Sequence, residues 1–210
     1  MNVHDHEGVQ AFLDDLGLSL QRERFTPRYN LAPSDPVHTL FADRELELAE
    51  MRWGLLPRNP KQRGLLINAR AETAWEKPSF RDAMHRRRAV LPVNGFYEWL
   101  REGTDKSPFY VTGQDRVLAL AGLFAVDTEG EMRCCVLTTA ANDSMSVIHD
   151  RMPVCLPPGS VRDWLTSDDR DSLDALVAGA QRQVLNLLPV SKFVNSSRND
   201  GPQCIAPATS

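Results

Sequence analysis

The chain has 210 residues, with 24 Lys and Arg against 28 Asp and Glu, a formal net charge of −4, 42% hydrophobic and 25% charged residues. This is ordinary globular composition, long enough to bury a core without disulfides or metals. It is no polycation, so any contact with nucleic acid has to come from a local basic patch.

No apolar run approaches the roughly 20 residues of a membrane span, and the polar, acidic stretch from Met1 to Gly8 has no signal-peptide pattern. A cytoplasmic or nucleoid-associated protein is expected, with no membrane partner. Cys134, Cys135, Cys155 and Cys204 form no CxxC pair and have no His at metal-ligand spacing. Reduced, buried thiols are expected, and neither a metal nor an organic cofactor is indicated.

Val9, Phe12, Leu13 and Leu16 follow a helical rhythm, which predicts a helix over 7–17 stopped by Gly17. Three prolines in the twelve residues from Phe25 to Pro36 predict an irregular stretch. Strands are expected over 37–41 and 46–53 with a turn at Ala42-Asp43-Arg44, then a loop over 54–64 and a short buried strand over 65–68. A helix follows over 77–87, with Phe80 and Met84 inward. Strands are predicted over 89–93, 95–100, 109–111, 118–124 and 134–139, helices over 161–165 and 173–180, and a last strand over 185–190 before a loop-like tail. Many short strands with flanking helices point to one α+β domain over 1–210, with a curved, barrel-like, mostly antiparallel sheet.

Four segments place polar groups where a core strand should be apolar: Arg28-Tyr29-Asn30-Leu31-Ala32-Pro33, Ile67-Asn68-Ala69-Arg70-Ala71-Glu72-Thr73, Asn94-Gly95-Phe96-Tyr97-Glu98-Trp99, and Ile148-His149-Asp150-Arg151-Met152-Pro153-Val154. Glu98 between two aromatics is either a partly desolvated acid/base group or an outward-facing strand residue. His149 is either a proton shuttle or a hydrogen-bonded loop histidine. Asp150 and Arg151 beside it can pair with each other or orient neighbours. Asn68 and Arg70 share a strand face, where the Arg fork suits a phosphate or both side chains belong to a structural network. The stretch from Arg81 to Arg88 and the basic residues around Trp53 and Gly54 read as a single-strand channel or as a solvated face.

Together these strings resemble the SOS-response-associated peptidase (SRAP) family of abasic-site processing proteins. Arg28-Tyr29-Asn30, Trp53-Gly54, Ile67-Asn68-Ala69-Arg70, Gly95-Phe96-Tyr97-Glu98-Trp99, Ile148-His149-Asp150-Arg151-Met152-Pro153 and Arg198-Asn199-Asp200-Gly201-Pro202 carry the resemblance, over about 28–202. The resemblance implies a protein that binds single-stranded DNA at abasic sites and forms a covalent DNA–protein crosslink there. It acts as a monomer, after removing its own initiator Met. Asn68, Glu98 and His149 would be catalytic: Asn68 positions the N-terminal residue or the sugar, Glu98 is the acid/base, and His149 assists proton transfer as the sugar opens. Asn30, Trp53, Gly54, Arg70, Arg86 and Arg151 would contact DNA.

The sequence departs from the family where the chemistry is. The family nucleophile is a Cys after the initiator Met, in Met-Cys-Gly-Arg-Phe, whose amine and thiol close a thiazolidine on the sugar aldehyde. Here the chain reads Met1-Asn2-Val3-His4 and its first cysteine is Cys134. Either the Cys lies upstream of an internal Met1, or this member lacks the thiol and binds single strands without crosslinking or through a reversible Schiff base at the Met1 amine. Asn94 stands where the family often has Asp. An unrelated hydrolase working through Glu98 and His149 would show no DNA affinity.

Overall fold

The computed structural model describes residues 1–59, 61, 63–157 and 159–208. Ten strands and five α-helices alternate along it: α1 (His6–Asp14), β1 (Pro36–Ala42), β2 (Leu46–Trp53), β3 (Asn68–Arg70), α2 (Ala71–Ala74), α3 (Arg81–Arg86), β4 (Arg88–Val93), β5 (Phe96–Glu102), β6 (Asp105–Thr112), β7 (Leu118–Val126), β8 (Met132–Ala140), β9 (Arg151–Pro153), α4 (Val161–Thr166), α5 (Arg170–Gly179) and β10 (Asn186–Pro189).

The main sheet runs β2-β1-β4-β7-β8, and β8 returns to β2 through the parallel pairs Arg52–Arg133 and Trp53–Cys134. The sheet therefore curves into a ring, but two residue pairs of closure do not make a full barrel. A second sheet, β10-β6-β5, is antiparallel. The α+β class, the curved and mostly antiparallel sheet and the short flanking helices are as the sequence predicts.

β8 is the hub. It pairs with β7 along 132–136 and with β9 along 138–140, and its other edge takes β2 and then β3. Its alternation of apolar residues (Cys134, Cys135, Val136, Leu137) buries it on both faces. β4 is likewise buried throughout, and the Trp164 indole of α4 reaches across to donate to the Ala89 carbonyl at 3.0 Å.

Differences from the expected elements have local causes. α1 begins at His6 because Asp5 caps it, accepting from the Gly8 N–H at 3.1 Å, and it unwinds before Gly17 as the Leu18 N–H turns back to the Leu13 carbonyl. Residues 65–67 form only an isolated bridge, Leu55–Leu66, and the ladder starts at Asn68. Residues 77–80 are a turn, so α3 starts at Arg81. β6 runs from Asp105, further back than its apolar part, because it closes a hairpin with β5. α5 starts a turn earlier than predicted, capped by Asp169.

Candidate functional site

Strands β2, β3, β5, β7, β8 and β9, the chain start and the segments around Asn30, His149 and Asn195 converge on a pocket of about 650 Å³. On β3, Ala69 packs inward and Asn68 and Arg70 face out together, as the period of a strand requires. β3 lies parallel to β8, which brings Arg70 beside Thr138. Glu98 comes from β5, opposite Phe109 of β6. The loop after β8 is folded by Asn142, whose Oδ1 accepts from the Ser144 hydroxyl at 2.9 Å and the Met145 N–H at 3.1 Å. This turn ends with His149 at the pocket.

The Arg151 N–H donates to His149 Nδ1 at 2.9 Å, so in the neutral ring Nε2 carries the proton. Asp150 Oδ1 at 3.1 Å and the Arg151 carbonyl at 3.2 Å also lie beside Nδ1. The Arg151 N–H bond fixes the tautomer, with Nε2–H as the ring's donor. Glu98 is half-buried, and desolvation raises its pKa. The Trp99 N–H, 3.1 Å from Oε1, and the nearby His149 pull it back down. A carboxyl whose pKa is raised by burial keeps its proton to higher pH than a free one, which suits proton transfer.

Arg70 lines the pocket, is exposed, and has no ion-pair partner among the described residues. Arg151 also lines it, but its guanidinium is engaged by both Glu72 oxygens, at 2.8 and 2.9 Å, and by the Thr138 carbonyl at 2.7 Å. It pairs with Glu72, not with its neighbour Asp150. Trp53 forms a wall, its indole N–H pinned to the Ile67 carbonyl at 3.0 Å, and Trp99 forms another, donating to Asn195 Oδ1 at 2.8 Å.

The other sequence candidates sit differently. Asn30 lines the pocket, but its amide points into the fold, donating to the carbonyls of Val194, Ser196 and Asn199 at 3.0–3.1 Å. It holds the C-terminal segment that forms a pocket wall through Val194, Asn195 and Ser197. Gly54 is not in the lining. Its φ is +122° and a Cβ there would sit 2.8 Å from Leu65 Cβ, so glycine lets the chain leave β2 while its N–H bonds the Cys134 carbonyl. Arg86 lies in a different cleft, with Trp75 and Arg87. Asn94 is tied to the chain start and to Arg116. Its Oδ1 accepts from the His4 and Asp5 N–H groups, at 2.8 and 3.0 Å, and its amide donates to the Arg116 carbonyl.

The chain start, which the sequence brings in only as a Met1 Schiff base or an upstream Cys, is itself part of the site. Met1 lines the pocket. Its amine donates to the Leu31 carbonyl at 2.9 Å, and the Leu31 N–H returns to the Met1 carbonyl at 2.8 Å. Asn2 then bridges Gly95, where a Cβ would meet the Tyr110 ring at 2.4 Å and the Val111 carbonyl oxygen at 2.5 Å. Only glycine lets β6 pack so close at the residue that bridges the chain start. Burial lowers the Met1 amine to a pKa of about 5, against a smaller opposing pull from Asp35. Sequence reasoning missed the role of Asp200: its carboxylate takes the N–H groups of Tyr29 and Asn30 and the Arg28 side chain, so the tail locks onto the Arg28-Tyr29-Asn30 segment.

All four thiols are buried and none lines the pocket; burial pushes Cys134 and Cys155 up to about 12 and Cys135 and Cys204 in the same direction. Among the described residues no group of three or more His, Cys, Asp or Glu side chains is placed to hold a metal ion, and no helix is long and apolar enough to cross a membrane.

Comparison with known proteins gives a consistent result. The family model described as SOS response associated peptidase (SRAP) matches residues 3–197. The abasic site processing protein YoqW of Bacillus subtilis (strain 168) is 36% identical over 198 residues, covering 89% of this chain and 88% of that protein. YedK of Escherichia coli (strain K12), likewise named an abasic site processing protein, is 32% identical over 188 residues, covering 86% and 84%. HMCES of Xenopus tropicalis, of the same name, is 31% identical, covering 88% of this chain and 67% of its own. A phage-related protein of known structure from Bordetella bronchiseptica shares the fold, with a TM-score of 0.72 at 23% identity over 90% of this chain and 93% of that one. With a family match over 3–197 and a relative at 36% identity along nearly its whole length, this chain belongs to the SOS response associated peptidase (SRAP) family.

Proposed function

We propose that this pocket binds single-stranded DNA at an abasic site and becomes covalently attached to the opened sugar. The observation that carries the reading is the convergence of Met1, Asn68, Glu98 and His149 on one pocket whose rim holds an unpaired Arg70. The names of the related proteins point to the same lesion. Arg70 takes a backbone phosphate, and Trp53 and Trp99 offer ring surface to unpaired bases.

The Met1–Leu31 pair says where the nucleophile would come from. A main-chain amide N–H at Met1 would make the same bond to Leu31 as the amine does, without burying a titratable group. Residues joined to Met1 would continue directly from the pocket wall. We therefore place the family's aminothiol, a Cys exposed by removal of an initiator Met, upstream of Met1. Glu98 serves as the acid/base for that removal.

The chemistry then needs only proton transfers. His149, in its imidazolium form, gives its Nε2 proton to the ring oxygen while the Glu98 carboxylate takes the C1 hydroxyl proton, the ring C1–O bond breaks, and the furanose opens to the aldehyde. The Cys amine adds to the aldehyde carbon, Glu98 protonates the hydroxyl, and water leaves as the imine forms. The thiol adds to the imine carbon, its proton passes to nitrogen, and a thiazolidine closes. Asn68 holds the amine or the sugar during these steps.

A second reading has its own support. If Met1 is itself the first residue, its amine, with a pKa of about 5, is neutral at pH 7 and able to form an imine. No thiol would follow, and the link would stay reversible.

The test is a denaturing gel of single-stranded DNA carrying one abasic site, incubated with this chain and with a version carrying Met-Cys-Gly-Arg ahead of Met1, with and without borohydride. A heat-stable band from the extended form alone supports the aminothiol reading. A band from the shorter form, only after borohydride, supports the Met1 imine. No band from either form, with single-strand binding retained, leaves a binding module without covalent chemistry.

A further inference from the structure

A second cleft, of about 850 Å³, opens beside α3 and is lined by Trp75, His85, Arg86, Arg87 and Asp168 among others. Its charge is uneven. Asp82 is already taken by Arg58 at 2.6 Å. Arg88 is buried, its guanidinium spent on the carbonyls of Met84, His85, Trp164 and Ser167. Arg86 and Arg87 have no ion-pair partner among the described residues, and the Arg87 Nε is a buried donor with no acceptor. Asp168 is the remaining acid in the lining.

The floor is rigid. The Trp75 indole donates to Asp174 at 2.9 Å, the His85 ring meets it edge-on at 5.0 Å, and the Arg170 guanidinium lies 5.1 Å from its ring centre. This cleft is also close to the first. Arg70 ends β3 at the pocket and Trp75 lies just past α2, a helix of one turn with a rise of about 6 Å.

The geometry points to a second stretch of the DNA path: Arg86 and Arg87 hold backbone phosphates of the strand whose lesion sits in the pocket. This rests on the single-strand reading above and extends it to flanking nucleotides. An unsatisfied guanidinium donor in a cleft with excess positive charge is matched by phosphate oxygens. The overall charge of −4 makes such a local patch the place where a polyanion would be tolerated.

The experiment measures binding of abasic single strands of increasing length to the full chain, from one barely covering the lesion to about 20 nucleotides, as a function of salt. For the long strand, the Arg86→Ala/Arg87→Ala double variant should lower the slope of log K against log salt by about 1.4, which is about 25-fold weaker binding at 0.1 M than the unaltered chain relative to 1 M. For the short strand it should bind like the unaltered chain. Arg86→Lys/Arg87→Lys should recover most of the long-strand affinity, which a merely structural defect would not. Equal loss on both lengths, or no loss on either, overturns the proposal. So does inorganic phosphate displacing the long strand no better from the unaltered chain than from the double variant. If the unaltered chain binds neither length, the single-strand reading itself fails, and the two failures are told apart.

Discussion

Glu72 and Arg151, 79 residues apart in the chain, meet as a two-pronged pair: Nη1 to Oε1 at 2.8 Å and Nη2 to Oε2 at 2.9 Å. The same guanidinium reaches back to the carbonyl and hydroxyl of Thr138, and the Arg151 bond holds the Glu72 carboxyl below its usual range. Arg151 thus ties α2, β8 and β9 together at the pocket edge, with its charge already matched. Arg70 has no such partner among the described residues.

The two arginines should therefore fail differently. Arg70→Ala should flatten the salt dependence of single-strand binding by about 0.7 in the slope of log K, with the unfolding midpoint unchanged. Arg151→Ala should change the slope little. It should lower stability by about 1 kcal/mol, since Glu72 is half exposed and water takes over part of its hydration. Salt titrations of binding beside urea unfolding of both variants separate the roles; a larger slope change for Arg151→Ala would reverse the assignment.

Glu98 gives a prediction in which stability and activity move in opposite directions. Its pKa is raised by burial, so the folded state favours the protonated form, and stability is lost as pH rises from the unfolded value through the folded one. Glu98→Gln removes that loss. It should be more stable than the unaltered chain at pH 7 and indistinguishable from it at pH 3. If Glu98 is the acid/base, the variant should form covalent product about 10²- to 10⁴-fold more slowly. Urea midpoints at the two pH values and single-turnover gels read both effects. A variant less stable at pH 7 would mean that the carboxylate is held by contacts other than those described.

How far the sequence reveals this site depends on the range of the interactions. The facing of Asn68 and Arg70, the half-burial of Glu98 and the loop position of His149 follow from alternation and from aromatic neighbours, which are local. The Arg151–Glu72 pair, the Asn30 clamp and the Asp200 lock join positions 79 to 172 residues apart, so no spacing within one segment points to them. The place of Arg86 in the second cleft is hidden for the same reason. Its basic run is visible, but which surface α3 presents is decided by packing against β4 and β7. Where boundaries moved, as at Asn68 and Arg81, backbone pairing outweighed apolar content.

Asn30 should prove a stability residue more than a DNA contact. Asn30→Ala removes a buried amide that serves three carbonyls, leaving them short of a donor, and should cost about 1–3 kcal/mol. The loss should be concentrated in 194–200, the pocket wall. Hydrogen exchange should speed up there and at Tyr29 and Asn30, whose N–H groups bond Asp200, while β4 and β7 stay protected. Uniformly faster exchange would show that the tail folds with the whole domain.

Met1 offers a test of the chain start by pH alone. Burial takes its amine from 8.0 to about 5. Above pH 8 the group is neutral in folded and unfolded states alike. Between pH 8 and 5 the unfolded chain gains a proton that the folded one refuses, so stability falls as pH falls, by up to about 4 kcal/mol across the three units. An amide at the same place, as in the version carrying Met-Cys-Gly-Arg ahead of Met1, bonds Leu31 without titrating. Burial lowers His4 and His38 as well, and they act in the same direction. They are common to both versions and cancel in the difference. Urea unfolding at pH 5.5 and 8.5 should show a clear loss toward acid for the shorter chain, beyond that of the extended one. Parallel pH curves would mean that the Met1 amine is solvated in the folded state, and that the Met1–Leu31 pair does not fix where the upstream residues emerge.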